Sequence, residues 1–362
     1  MKTLLRSILV ASLLLTSAGG VGAQDGATRA EFECLKLANS SAVAVPGEPD
    51  RWPAFHHVWS TSMSYGNFNS NGLKLVYETQ GEGSETIIVV HGGIGMPHDY
   101  FHPMLTNLSR YAKLVFFDRR ADMLATGKGY EMASLDEQAD DIDALRKELG
   151  LNRVTVLGHS FGSAIALNYA LRHPESVKRL ILVSASAVVE DPRESEKRLV
   201  QTLTPAELSV YRSGEGGEGG LDPCQRVRKR YGVLYPHYFH KGVPYEFDRG
   251  VYTVYFDALA KKLALSARSR GIDLRPRLGE LSAPVMIFAG KHDLVTPVSQ
   301  AKALAEGLPN ARLVVLAQSA HFPVFEENFL FTSWVRMFMV QTNRTVDDRM
   351  LPTVGVRAAA GK

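Results

Sequence analysis

Six short, almost unbroken apolar runs recur through the chain: "TIIVV", "KLVFF", "RVTVLGH", "VKRLILVSA", "PVMIFAG" and "ARLVVLA". Runs this short and solid suit strands buried on both faces, as in a parallel sheet sandwiched by helices. Helix-like stretches stand between them. "SLDEQADDIDALRKELG" opens on Ser134 as a candidate N-cap, places acids early and bases late, and stops at Gly150. "SAIALNYALRH" ends before Pro174, while "SQAKALAEGL" and "FLFTSWVRMFMV" each follow one of the last two strands. Strand and helix alternating across short joints predict an α/β fold: a mostly parallel central sheet flanked by helices.

The rhythm breaks between residues 188 and 282. There the chain holds helix-like pieces ("ESEKRLVQTL", "YFDALAKKLALSAR"), a flexible "GEGGEGG" and the basic run "RVRKR", which suits a solvated helix face. Because strands resume afterwards, the interruption reads as a mostly helical cap inserted into one sheet. The two parts of the body are then residues 64–187 and 283–342. Residues 24–63, with "RWPAFHHVW" and no sustained periodicity, form an N-terminal arm. Residues 343–362 offer few apolar anchors and are expected to be disordered.

At the start, Lys2 and Arg6 precede an apolar stretch from Ile8 to Leu15, and Val21-Gly22-Ala23 supplies small residues for cleavage. This is the pattern of a signal peptide cleaved after Ala23, so a secreted or periplasmic location is expected. No later segment offers the ~20 apolar residues a membrane span needs. Losing Lys2 and Arg6 leaves 39 basic against 38 acidic residues, a balance that recruits neither nucleic acid nor an anionic membrane. Cys34 and Cys224 would enter a compartment where a disulfide can persist, though spacing does not say whether they pair. They are too few and too far apart for a metal site.

The chemistry concentrates around "VTVLGHSFGSAIALNYA". A strand that turns sharply into a helix exposes Ser160 only if its neighbours are small, which Gly158 and Gly162 satisfy. The turn places the Phe161 amide at a helix N-terminus, facing any negative charge that develops on a substrate oxygen. A serine hydroxyl needs a base, and the base needs an orienting acid. His321 lies in "LVVLAQSAHFP" and Asp293 in "IFAGKHDLVTP", each just past an apolar strand. Read alone, Asp293 also suits a turn acid. "IIVVHGGIG" puts His91, Gly92 and Gly93 after an earlier strand, so Gly93 is the candidate second oxyanion donor, with Ile94 the adjacent alternative. His91 would brace that loop. His159 and His292 fill variable positions beside the catalytic ones, and Asp118 with Arg120 hold a loop.

Four motifs in this order resemble the α/β-hydrolase superfamily over about residues 64–340. Within it, "HGGIG", "FFDRRADMLATGKG", "GHSFGSAIALNYALRHPESVKRLILVSA" and "AHFPVFEE" are most similar to the proline iminopeptidase branch and its esterase-like relatives. Ile94 stands where that branch has proline, and Ala121, Met123 and Ala125 depart from its usual Gly and Ser. The resemblance implies Ser160, Asp293 and His321 as a catalytic triad, no metal or organic cofactor, and a small-molecule or short-peptide substrate. An aminopeptidase acting on small N-terminal residues is expected, with an esterase as the alternative. A non-catalytic binder on the same scaffold is the reading from another class. In that branch acidic cap groups attract the substrate amine; Glu215 and Glu218 are the local candidates, although a solvated cap tip suits them better.

Overall fold

The computed structural model describes residues 63–93, 98–117, 119, 134–215, 220, 223–243 and 271–344. The expected signal segment, the arm through residue 62, Ile94, Asp118, Arg120, Glu218, the "YFDALAKKLALSAR" stretch and the tail from 345 lie outside the described residues. So do Cys34 and the Cys224 side chain.

The described strands form one eight-stranded sheet. They are β1 (Met63–Ser70), β2 (Leu73–Gln80), β3 (Thr86–Val90), β4 (Lys113–Phe117), β5 (Val154–His159), β6 (Val177–Val183), β7 (Val285–Gly290) and β8 (Ala311–Leu316). Their spatial order is β1-β2-β4-β3-β5-β6-β7-β8. β2 runs antiparallel to both β1 and β4, and the six strands from β3 onward pair in parallel. The sheet is thus mostly parallel, as its apolar runs predict. Alternate residues serve opposite faces: Ile87, Val89, Leu157, Ile181 and Met286 enter one apolar cluster, while Ile88, Val90, Val156, Leu182 and Ile287 enter the other. Burial on both faces explains why these strands read as solid runs.

Helix Leu135–Glu148 begins as expected. Ser134 Oγ accepts from the Glu137 amide, Glu137 reaches back to the Ser134 amide in a full capping box, and Gly150 takes φ +66° just past the end. Helix Phe161–Arg172 follows β5 directly, and helices Val298–Gly307 and Asn328–Arg344 follow β7 and β8. The last extends through Arg344, so residues 343 and 344 are helical and not the start of a tail.

Between β6 and β7 the described cap carries helices Pro192–Val200, Pro205–Ser213 and Pro223–Leu234, then a 3₁₀ turn at Tyr235–Tyr238. At its centre Glu196 accepts from Tyr211 Oη at 2.8 Å and from the Arg230 guanidinium. Arg230 ends "RVRKR" yet is only 2% exposed, which corrects the expectation of a wholly solvated basic run. A buried guanidinium needs a buried carboxylate partner, and Glu196 supplies it. Cap residues Leu199, Tyr211, Leu234, Tyr235, Tyr238 and Phe239 share one apolar cluster with Phe288 and Phe322 of the body. Leu274, Leu278 and Leu281, within the segment read as insertion, pack into the body's other cluster. Among the described residues, no helix is long and apolar enough to cross a membrane.

Candidate active site

Ser160, Asp293 and His321 all leave the carboxyl ends of parallel strands, the edge where open α/β sheets place their sites. Ser160 follows β5 with φ +52° and ψ −123°, a conformation most side chains avoid, and starts a helix at once. The flanking glycines are sterically required. A Cβ at Gly158 would lie 2.5 Å from the Gly162 carbonyl oxygen, and one at Gly162 would press into the Val90 and His91 carbonyls. The turn therefore presents a half-buried hydroxyl above a tightly crossed backbone.

Three side chains far apart in sequence meet there. Ser160 Oγ lies 2.9 Å from His321 Nε2, and His321 Nδ1 lies 2.9 Å from Asp293 Oδ2. A carboxylate only accepts, so Nδ1 carries the proton and Nε2 offers its lone pair to the serine. Asp293 is buried, which opposes its ionisation. Electrostatic attraction by the His321 ring and hydrogen bonds from His321 and Thr296 outweigh that and hold its carboxyl below the usual range. Asp293 is also a turn acid: Oδ1 accepts the Val295 amide at 2.8 Å and the Thr296 amide at 2.9 Å, and Oδ2 accepts Thr296 Oγ1 at 2.7 Å. The same carboxylate therefore caps its own turn and meets the His321 ring.

The loop after β3 passes beside the serine. A Cβ at Gly92 would lie 2.9 Å from Ser160 Cβ, and Gly93 follows with φ +63°. Buried Arg119 donates to the Gly93 carbonyl oxygen and lies over the Phe161 ring at 5.6 Å. Phe161 is the first residue of its helix, so its amide is one of the N-terminal donors without an intrahelical acceptor. His91 is fully buried, with Nδ1 3.1 Å from the Gly92 carbonyl oxygen.

A second chain of hydrogen bonds lies beneath the first. The Gly92 amide donates to Tyr100 Oη at 2.6 Å, Tyr100 Oη donates to His159 Nδ1 at 3.0 Å, and His159 Nε2 donates to the His321 carbonyl at 2.9 Å. Ser184, at φ +48°, donates its hydroxyl to that carbonyl at 3.0 Å, while the His321 amide donates to the Tyr238 carbonyl of the cap. These contacts correct the reading of His159 as a variable filler: it is 2% exposed and ties the loop after β3 to the backbone of His321. Sequence reasoning missed Tyr100, Ser184, Thr296 and Arg119; only Arg119, in "DRRAD", stood beside a residue already singled out. His292 stacks on His240 at 3.8 Å and donates to the Ala317 carbonyl. Glu326 and Glu327, from "AHFPVFEE", accept the Ala320 and Gln318 amides and so stitch the loop that carries His321. Glu215, after helix Pro205–Ser213, is exposed.

Burial, reinforced by the neighbouring His321, pushes the His159 imidazole down to about 3, so it is neutral at working pH. The folded state therefore binds fewer protons than the unfolded chain between about pH 6.5 and 3, and stability falls as pH falls through that window. The expected loss is up to about 1.4 kcal/mol per pH unit. Denaturant unfolding at pH 7, 6 and 5 should show this slope in the wild type and a shallower one in His159→Asn. Equal slopes would remove His159 as the source.

An eight-stranded, mostly parallel sheet with a strand-turn-helix serine, an acid after β7 and a histidine after β8 defines the class: the chain has the α/β-hydrolase fold. Residues 85–206 match the family described as the alpha/beta hydrolase fold. Among curated relatives, the chain is 28% identical over 262 residues to a protein provisionally named carbamate hydrolase RutD from Agrobacterium fabrum, spanning 71% of this chain and 94% of that one. It is 24% identical to the proline iminopeptidase of Saccharolobus solfataricus, spanning 76% and 90%. The solved structure of a Mycobacterium smegmatis proline iminopeptidase superposes with a TM-score of 0.63 at 20% identity, covering 78% of this chain and all of that one.

Proposed function

We propose that the protein is a serine hydrolase that works through an acyl-enzyme on Ser160. His321 accepts the Ser160 proton as the oxygen attacks a substrate carbonyl and then delivers it to the leaving group. Asp293 orients the ring and stabilises its charged form. The amides of Phe161 and Gly93 hold the tetrahedral oxyanion, a contribution of about 3 kcal/mol for each such donor. The observation that carries this reading is the continuous line from Ser160 through His321 to Asp293, with both links at 2.9 Å.

The proposed substrate is a short peptide or amide with a small N-terminal residue such as proline. The motifs shared with the iminopeptidase branch and the iminopeptidases among the relatives support it. The basic and apolar leader supports export to the periplasm or the medium.

A second reading, hydrolysis of small esters, draws on three of the cap's described acids. Glu196 is buried against Tyr211 and Arg230, Glu190 pairs with Arg198, and Glu207 closes the capping box at Thr204. These carboxylates are committed to the cap's own structure and not to a substrate amine. A panel comparing proline arylamide with short acyl esters separates the two. The arylamide is expected to give at least about tenfold higher kcat/KM, a transition-state preference of about 1.4 kcal/mol; turnover of esters alone would remove the peptidase reading. Labelling by a fluorophosphonate tests the machinery itself, and failure to modify Ser160 in folded protein would favour a non-catalytic binder.

A further inference from the structure

The segment after the Gly92–Gly93 loop holds a second cluster that the reaction does not use. A 3₁₀ turn at His98–Tyr100 runs into the helix Phe101–Leu105, which sets His98 and His102 four residues apart. Facing them is Glu78 of β2, the register partner of Phe116 in β4. All three are buried, at 7%, 4% and 7% exposure for Glu78, His98 and His102. Glu78 Oε2 lies 3.3 Å from His98 Nε2 and 3.3 Å from His102 Nε2, and the three atoms all fall within 4.8 Å of one another. Both rings are fixed against Phe116, His98 stacked at 5.8 Å and His102 edge-on at 4.8 Å.

We propose that Glu78, His98 and His102 bind a divalent transition-metal ion, with Zn²⁺ the best fit, at a site separate from Ser160. Tetrahedral zinc sits about 2.0–2.1 Å from imidazole nitrogen and carboxylate oxygen, which places neighbouring ligand atoms about 3.3–3.4 Å apart. The two Glu78 separations match that edge. As direct N–H···O bonds they are long, because the mode for such bonds is about 2.9–3.0 Å. Two imidazoles and a carboxylate also select for zinc and its neighbours over Mg²⁺ or Ca²⁺, which demand oxygen shells.

The cluster brackets Tyr100. One side of this short segment would hold the ion against β2, while Tyr100 between the two histidines accepts the Gly92 amide and donates to His159. An ion there pins the segment to the sheet and so sets the height of Tyr100 beneath the loop that carries Gly93. The role is positional: the ion joins the middle of the fold to the support of the oxyanion loop and touches no substrate.

The test uses the full chain after chelator treatment, titrated with Co²⁺ and followed between 500 and 650 nm. One equivalent is expected to raise intense tetrahedral d–d bands, and one equivalent of Zn²⁺ to abolish them and raise the unfolding temperature by several degrees. Glu78→Gln should weaken Co²⁺ binding at least 100-fold while keeping the far-ultraviolet circular dichroism of the wild type. His102→Asn serves as the second ligand variant should Glu78→Gln fold poorly. Weak bands of octahedral type, no stoichiometric binding by the wild type, or equal affinity in a folded ligand variant would each overturn the site. None of these readouts depends on Ser160 being a nucleophile.

Discussion

Ser160→Ala is expected to leave a folded protein whose kcat on its best substrate falls by on the order of 10⁶. Alanine keeps the small volume at a position where φ is +52°, and the elbow is set by Gly158 and Gly162, so unfolding by heat or denaturant should change little. What disappears is the atom 2.9 Å from His321 Nε2. Without it the amides of Phe161 and Gly93 can still polarise a bound carbonyl, which leaves a residual rate above that in water. The measurement is kcat per mole of folded protein beside an unfolding curve. Turnover within tenfold of wild type would end the assignment of Ser160 as the nucleophile.

Asp293→Asn is the next largest expected effect, about 10⁴-fold in kcat, and the hydrogen-bond inventory explains why. Oδ1 of Asp293 accepts two backbone amides, from Val295 and Thr296, so only the carbonyl oxygen of an asparagine can occupy that place. The new NH₂ group must then stand where Oδ2 meets His321 Nδ1. Donor would face donor unless the imidazole moves its proton to Nε2. That tautomer has no lone pair for the Ser160 hydroxyl, so the base is disabled while the packing is preserved. Fluorophosphonate labelling should slow in parallel with kcat, whereas KM should change little. A variant with near-normal labelling would mean that Asp293 is only the turn acid its local sequence suggests.

The central strands were legible because each is buried on both faces, so "TIIVV" or "VMIFAG" has no polar position to blur its period. Ser134 and Gly150 marked their helix through local chemistry that acts within one turn. Ser160, Asp293 and His321 were legible because each follows such a strand and the chemistry restricts residue type. β1 was not read, since "MSYGNFNS" lies on the sheet edge with Tyr65 60% exposed and carries no apolar run. Its signal was the next dipeptide: Asn71 and Gly72 both take positive φ, the signature of a two-residue hairpin turn. Tyr100 and Ser184 had no comparable mark. Their roles depend on atoms brought close only by the sheet, such as the His321 carbonyl, and Ser184's left-handed backbone is invisible in a serine codon.

The His321 amide is held by the Tyr238 carbonyl, and Phe239 stacks on Phe322 at 4.8 Å, so the cap is also part of the frame behind the His321 imidazole. A hinge that lifted the whole insertion would release the imidazole's anchor. A chimera that grafts a foreign lid to change specificity would have to retain this junction or lose rate along with selectivity.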